Sequence, residues 1–388
     1  MISIPTTAEL YADILTNIET EFGVSVPASG VSMLRALAAA DAATLKLFYY
    51  AIANVQKNIW CDTAESEAVG GTLERFGRVK LDRLPYPATA GQYTVSVTGT
   101  AAAVIPALTT FISDDDSLNP GFLFILDAAY TMTGSGDTIT LRALTAGTES
   151  LLAVSDTLTA TAPIVNVDQT ATVTAITVDP ISAETNEEYR DKVVQAYQLE
   201  PQGGAPADYR LWGLDAAGTR QIYPYAVSGA SCEIDVFVEA LPDDSTDGHG
   251  TPTSTILAEV EADIAADPDT GIGRKPLGVF AVNVQAIDAL PVVITINSGG
   301  TITAAQQTLI NAALDEWAYD IRPFIAGIDA VASRNDTMTT YGIGTVVIDT
   351  IGTVVMSSIT MTVDGGGSVS SYLFDNGEIP YISSVVYV

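Results

Sequence analysis

Residues 184–239 restrict the fold more than any other part of this 388-residue chain. Glu184-Thr185-Asn186-Glu187-Glu188-Tyr189-Arg190 opens a helix, with Thr185 and Glu188 at capping-box spacing: the Thr oxygen can accept from the Glu amide while the Glu carboxylate reaches back. Arg190 is expected to pair with an acid on that helix or the next. Pro201-Gln202-Gly203-Gly204 forces a sharp turn that sets the angle to a second helix. Pro206 suits the first position of that helix, where its missing N–H would be unpaired anyway. Asp208, Tyr209 and Trp212 follow, the two aromatics i, i+3 on one face and expected to pack on a strand around residues 222–225. Period-2 alternation then predicts an antiparallel strand pair over 218–227 and 232–238, joined by a Gly-rich tip.

Around this block the composition changes along the chain. Residues 1–88 read as helical. Thr6 or Thr7 caps a first helix ending near Phe22-Gly23, and Ser29 caps a second that carries Val31, Leu34, Leu37, Ala38, Leu45, Phe48 and Ile52 at helical spacing up to Trp60. Its alanines allow close approach of another helix. Its apolar residues (Leu34, Leu37, Leu45, Phe48, Ile52) are the candidate helical interface, as an internal core or as a seam between chains. A third helix is predicted from Ser66 to Phe76, with Gly77 as its terminator. Residues 89–180 are rich in Thr, Val, Ala and Gly, in alternating runs parted by turn signals, which predicts an all-β domain of sandwich or barrel type. Residues 181–298 read as an α+β domain with Thr251-Pro252 opening a helix to about Ala266. Residues 299–388 read as a second α+β domain, where Thr303 and Gln306 form a capping box and an alternating Gly/Thr/Val tail starts at Ile343. The fold class is thus multidomain α+β: an N-terminal helical region, a central all-β domain and a C-terminal α+β region with mixed sheets.

The charge balance excludes several roles. Sixteen Lys and Arg face 47 Asp and Glu, a formal net charge of −31, so polyphosphate is repelled and no nucleic-acid partner is expected. Seven of the sixteen cations lie between Arg35 and Arg83, as a solvated helical face or a surface that meets an acidic neighbour. The acidity also suits a salt-rich host. Asp41 and Lys46 interrupt the apolar stretch of the second helix, so membrane insertion is not expected. The N-terminus lacks the pattern of a signal peptide. Cys61 and Cys232 have no metal-type spacing and read as reduced thiols.

Catalytic motifs are missing from the sequence, and neither an enzyme nor a cofactor or metal is expected. The one histidine, His249, sits on a Gly-rich loop and reads as exposed. Asp243, Ser245, Asp247 and Gly248 match half of a calcium loop, but Ser254 stands at the twelfth position where Glu is needed, so an acidic loop tip is preferred. Asp114-Asp115-Asp116 reads as solvated loop charge, and no carboxylate pair can be singled out among 47 acids.

The order E-T-x-x-E-Y-R, P-Q-G-G-x-x-x-D-Y-x-x-W, Y-P and V-x-V closely resembles the baseplate J-like family, wedge proteins of contractile phage tails and related injection machines. The structural signature is Thr185, Glu188, Tyr189, Arg190, Pro201, Gln202, Gly203, Gly204, Asp208, Tyr209 and Trp212. Ile105-Pro106 also resembles a family strand, with Leu108 where the family uses Gly. The resemblance implies a structural wedge subunit that sits in pairs beside a smaller partner. It would join other wedge proteins and itself in a ring around the hub and spike, and rearrange when the sheath contracts. Its place would be the virion tail baseplate, after synthesis in the host cytoplasm. The alternative is a receptor- or carbohydrate-binding tail protein, suggested by the Thr/Gly-rich β region.

Overall fold

The computed structural model describes residues 3–388 except 24, 28–32, 135, 200–202, 228, 230–231, 301 and 353–355. In chain order, α1 (Thr7–Phe22), α2 (Met33–Lys57) and α3 (Leu73–Lys80) precede the strands β1 (Gln92–Gly99), β2 (Val104–Ile105), β3 (Thr110–Ser113), β4 (Leu123–Ile125), β5 (Tyr130–Thr131), β6 (Asp137–Ala143), β7 (Thr157–Ala160) and β8 (Val167–Val178). Next come α4 (Asn186–Gln198), α5 (Pro206–Gly213), β9 (Thr219–Ala226), β10 (Glu233–Ala240), α6 (Ser254–Ala265), β11 (Ala281–Ala286) and β12 (Asp288–Ser298). The chain closes with α7 (Ala304–Tyr319), β13 (Thr337–Thr339), α8 (Thr340–Ile351), β14 (Met356–Val363), β15 (Ser368–Val369), β16 (Ser371–Leu373) and β17 (Glu378–Tyr387). It is a multidomain α+β protein, and its contacts divide it into two compact units: residues 1–85 with 186–197, and residues 86–185 with 198–388.

The first unit is helical. Thr6 caps α1 reciprocally: Glu9 N–H donates to Thr6 Oγ1 at 3.2 Å and Thr6 N–H to Glu9 Oε2 at 2.7 Å. Gly23, at φ 65°, ends the helix. Ala38 and Ala42 are the buried residues of α2, so the alanine stripe serves the contact with α1. Arg35 fastens the connection, donating to Tyr11 Oη at 3.1 Å and to the Val26 carbonyl at 2.9 Å. The expected cap Ser29 and Val31 lie outside the described residues. Helix α2 stops at Lys57, short of the expected Trp60. Its last carbonyls are taken by Thr63 Oγ1 on Lys57 and Thr72 Oγ1 on Asn58, both at 2.7 Å.

The third helix departs from expectation. It runs from Leu73 through Gly77 to Lys80, and residues 67–69 form a separate 3-10 turn. Gly77 is not a terminator. A Cβ there would collide with the ring and hydroxyl of Tyr189, so glycine permits α4 to lie against α3. Ala64, Leu73, Tyr189 and Val193 form the small core between them.

In the second unit, β1, β6, β4, β3, β7 and β8 close into a barrel, since β8 pairs with both β7 and β1. Alternation buries Tyr93, Val95 and Val97 of β1 against Phe111, Phe124, Leu141 and Leu158. Register shifts between β1 and β8 supply the bending that closure needs. Tyr93 Oη lies inside, donating to the Ser150 carbonyl at 3.1 Å, and burial pushes its pKa up to about 12.

Two mixed sheets complete this unit. In the first, order β11-β10-β9, the pair β9–β10 is antiparallel and β10–β11 parallel, with α5 and α6 over a core of Tyr209, Ile222, Val236, Val238, Ile256 and Val260. Helix α6 is capped by Thr253, not by the expected Thr251-Pro252; Ser245 holds Pro252 in an antiparallel bridge instead. The second sheet, β15-β14-β12-β17, lies under α7 and α8. The capping box of Thr303 and Gln306 opens α7 as expected.

Helix α8 overturns the extended reading of the tail from Ile343. Thr339 caps it, and Ile343 and Val347 bury one face in the core beneath α7. Its two glycines allow that approach. A Cβ on Gly342 would come within 2.7 Å of the Trp317 ring, and one on Gly344 within 3.3 Å of Ile359.

Candidate functional site

The signature residues are split between the two units. On α4, Tyr189 is fully buried; its hydroxyl donates to the Arg83 carbonyl at 2.6 Å and its ring lies under the Arg83 guanidinium. Arg190 pairs with Glu187 one turn earlier on its own helix and donates to the Ala64 carbonyl at 2.9 Å. Thr185 and Glu188 stand at the start of α4, with Thr185 exposed and Glu188 half-buried. Pro201 and Gln202 lie outside the described residues. Gly203 and Gly204 follow at φ 78° and 114°, and Gly204 needs glycine twice, since a Cβ there would also meet Pro276 at 2.6 Å.

On α5 the sequence understates two residues. Asp208 is buried and accepts from the backbone N–H groups of Gly204 and Ala205, which joins the di-glycine turn to the helix. Arg210, outside the expected signature, donates to the Ile222 carbonyl at 3.0 Å and pairs with Asp329 at 2.5 Å. Tyr209 and Trp212 pack edge to face at 5.2 Å in the core with Ile222. Asp208 and Arg210 thus set backbone geometry through their bonds to Gly204, Ala205 and Ile222.

A second polar cluster is buried where the two mixed sheets meet. Glu239 of β10, 1% exposed, accepts from Arg220 at 2.5 Å, from Arg322 Nε at 2.9 Å and from Tyr223 Oη at 2.6 Å. Burial pushes its carboxyl upward, and the guanidiniums of Arg322 and Arg220 outweigh that and hold it below the usual carboxylate range. Arg220 stacks 3.7 Å over the Tyr319 ring. Above lies a cleft of about 270 Å³ reached by His249, Asp315 and Tyr381, with His249 stacked on Tyr381 at 3.9 Å. Arg220 also donates to the Tyr319 carbonyl at 3.2 Å, and Arg322 to the Ala318 and Ile321 carbonyls at 3.1 and 2.7 Å. Asp247 spends its carboxylate on His249 N–H and on Thr251, which ties the acidic loop internally, and Asp244 accepts from Ser182 N–H, which fastens the loop to the segment after β8. Among the described residues no group of three or more His, Cys, Asp or Glu could hold a metal ion.

The expected helical interface is a different kind of surface. Leu34 is half-buried, while Leu37 is 48% exposed, Leu45 40%, Phe48 61% and Ile52 52%. With Val55 they recur down α2 at steps of three or four residues, apart from an eight-residue step between Leu37 and Leu45, and no residue of α2 after Ala42 is buried. The stripe from Leu37 to Val55 runs about 27 Å at 1.5 Å per residue. By length and composition α2 could also cross a membrane. Asp41 and Lys46 then lie near its middle, at about 2.5–3.5 kcal/mol each for insertion, which disfavours that.

Comparison with solved structures matches the chain to one in the six-fold symmetrised cryo-EM structure of the anti-feeding prophage baseplate. Identity is 10% and the TM-score 0.43, over 97% of this chain and 90% of that one. No protein-family description and no curated protein matches the chain.

Proposed function

We propose that this chain is a structural subunit of the baseplate of a contractile tail or injection machine, placed as a wedge protein. The apolar stripe on α2 carries the reading: Leu37, Leu45, Phe48, Ile52 and Val55 face solvent on a helix that one chain leaves half covered. Water makes that exposure unfavourable by about 25 cal/mol per Å² of apolar area, so a partner helix that covers the stripe is strongly held. The spacing suits a helical bundle with a smaller wedge partner and a second copy of this chain. The signature block 184–239, in the order known from baseplate J-like proteins, supports the same role. Ring contacts are placed on the C-terminal α+β region, and the role requires no catalysis.

The test is Leu45→Asp with Phe48→Asp, in cells that also express the neighbouring tail proteins. Co-purification with those proteins should be abolished while the barrel's near-ultraviolet circular dichroism is unchanged. Undiminished co-purification overturns the bundle. Flotation of the wild-type chain with lipid vesicles, lost in the variant, would assign α2 to a membrane instead.

A further inference from the structure

Helix α6 covers the β11-β10-β9 sheet with Ile256, Val260 and Ile264, above Val236, Val238, Val282 and Val284. Beside Ile264 on the same helix stands Asp263, only 7% exposed. The charged groups around it are Glu259 one turn earlier on α6, Asp215 after α5, and Asp267 and Arg274 on the segment that follows α6. Asp179 meets α6 farther off, through Thr255 at 2.7 Å. Arg274 is committed elsewhere: to Asp215 at 2.7 Å, to Asp267 at 3.0 Å, and to the backbone carbonyl of Asp263 at 3.1 Å. Among the described residues no hydrogen bond or ion pair reaches the Asp263 carboxyl, while Asp215 and Asp267 both pair with Arg274 and Glu259 accepts from the Ala217 N–H at 3.4 Å.

The same contacts fasten the segment 267–280. Arg274 N–H donates to the Ala265 carbonyl at 3.1 Å, Ala266 bridges Gly273, and Asp267 accepts from the N–H groups of Asp269 and Thr270. The segment carries Ile272, Leu277 and Phe280, all strongly exposed. Such a tip is a ready contact surface, and its anchorage depends on Asp263's surroundings.

We propose that this carboxyl cluster is a proton-operated latch: neutral Asp263 keeps the end of α6 and the segment 267–280 closed, and its ionisation releases them. The driving force is electrostatic. An ionised Asp263 would be desolvated and would face three carboxylates, whereas opening of the segment hydrates it and lets Arg274 move. Burial first, then Asp215 and Glu259, push the Asp263 carboxyl up to about 7 against a usual 3.8, while Arg274 pulls it down. The closed form therefore binds the proton more tightly than the open form. Opening grows as pH rises from the usual value to the raised one and levels off above it.

Hydrogen exchange on the full chain tests this, comparing peptides over 266–281 at pH 6 and pH 8 after correction for intrinsic exchange, with barrel peptides as reference. The expected result is about tenfold more opening at pH 8, confined to that segment. Asp263→Asn should remain closed at both pH values, and Asp263→Ala should likewise lose the pH dependence. Equal opening of the wild type at the two pH values, or variants that keep its pH dependence, would overturn the latch.

Discussion

Leu108 holds φ at +64°, in the left-handed region where a side chain crowds the backbone, and it projects into solvent from the turn before β3. That is the position where the resembled family carries Gly. Leu108→Gly relieves the crowding at the cost of a more flexible unfolded chain, for a net gain of up to about 1 kcal/mol in denaturant unfolding. A loss of stability would contradict that reading of the turn. Tyr209 poses the opposite problem, because its buried hydroxyl has no hydrogen-bond partner among the described residues. Tyr209→Phe keeps the edge-to-face contact with Trp212 and should be neutral or stabilising by about 1 kcal/mol. Glu239→Gln, by contrast, leaves Arg220 and Arg322 without their shared counter-ion and should cost about 3 kcal/mol. The Glu239 carboxyl is depressed in the folded state, so its contribution is complete above the unfolded value of 4.5 and disappears as pH falls through the folded one. Acid unfolding of the Gln variant should accordingly depend less steeply on pH than that of the wild type.

Elements were legible where their signals are local. The capping boxes at Thr6 and Thr303, the left-handed Gly23, Pro206 at the start of α5 and the alternation of β9 and β10 all lie within a few residues of what they specify. Helix α8 was not legible, because Gly342, Gly344 and its β-branched residues disfavour a helix locally; close packing on Trp317 and Ile359 reverses that preference. Gly77 misled for the same reason, as its necessity comes from Tyr189, more than a hundred residues later. Glu239 and its partner Arg322 are 83 residues apart, a separation that leaves no pattern to read. On α2 the sequence showed the apolar spacing but not which face α1 covers. Ala38 and Ala42 take that contact, and the larger side chains are left outside.

For the whole molecule, a net charge of −31 opposes both the folded state and the meeting of identical copies. Salt screens such repulsion over about 10 Å at 0.1 M, so raising sodium chloride to about 1 M should raise the melting temperature. A melting temperature indifferent to salt would show the acids to be well dispersed. The same repulsion means that association must rest on surfaces where charge is sparse, and the α2 stripe, with Asp41 and Lys46 as its charged interruptions, is such a surface. The most direct measurement is the solution mass of the complex purified through this chain when it is expressed with the products of its flanking genes. Two copies of the chain with one smaller partner, reduced to a lone monomer by Leu45→Asp with Phe48→Asp, is the predicted result. A wild-type chain that purifies as a monomer with no companion would contradict the account.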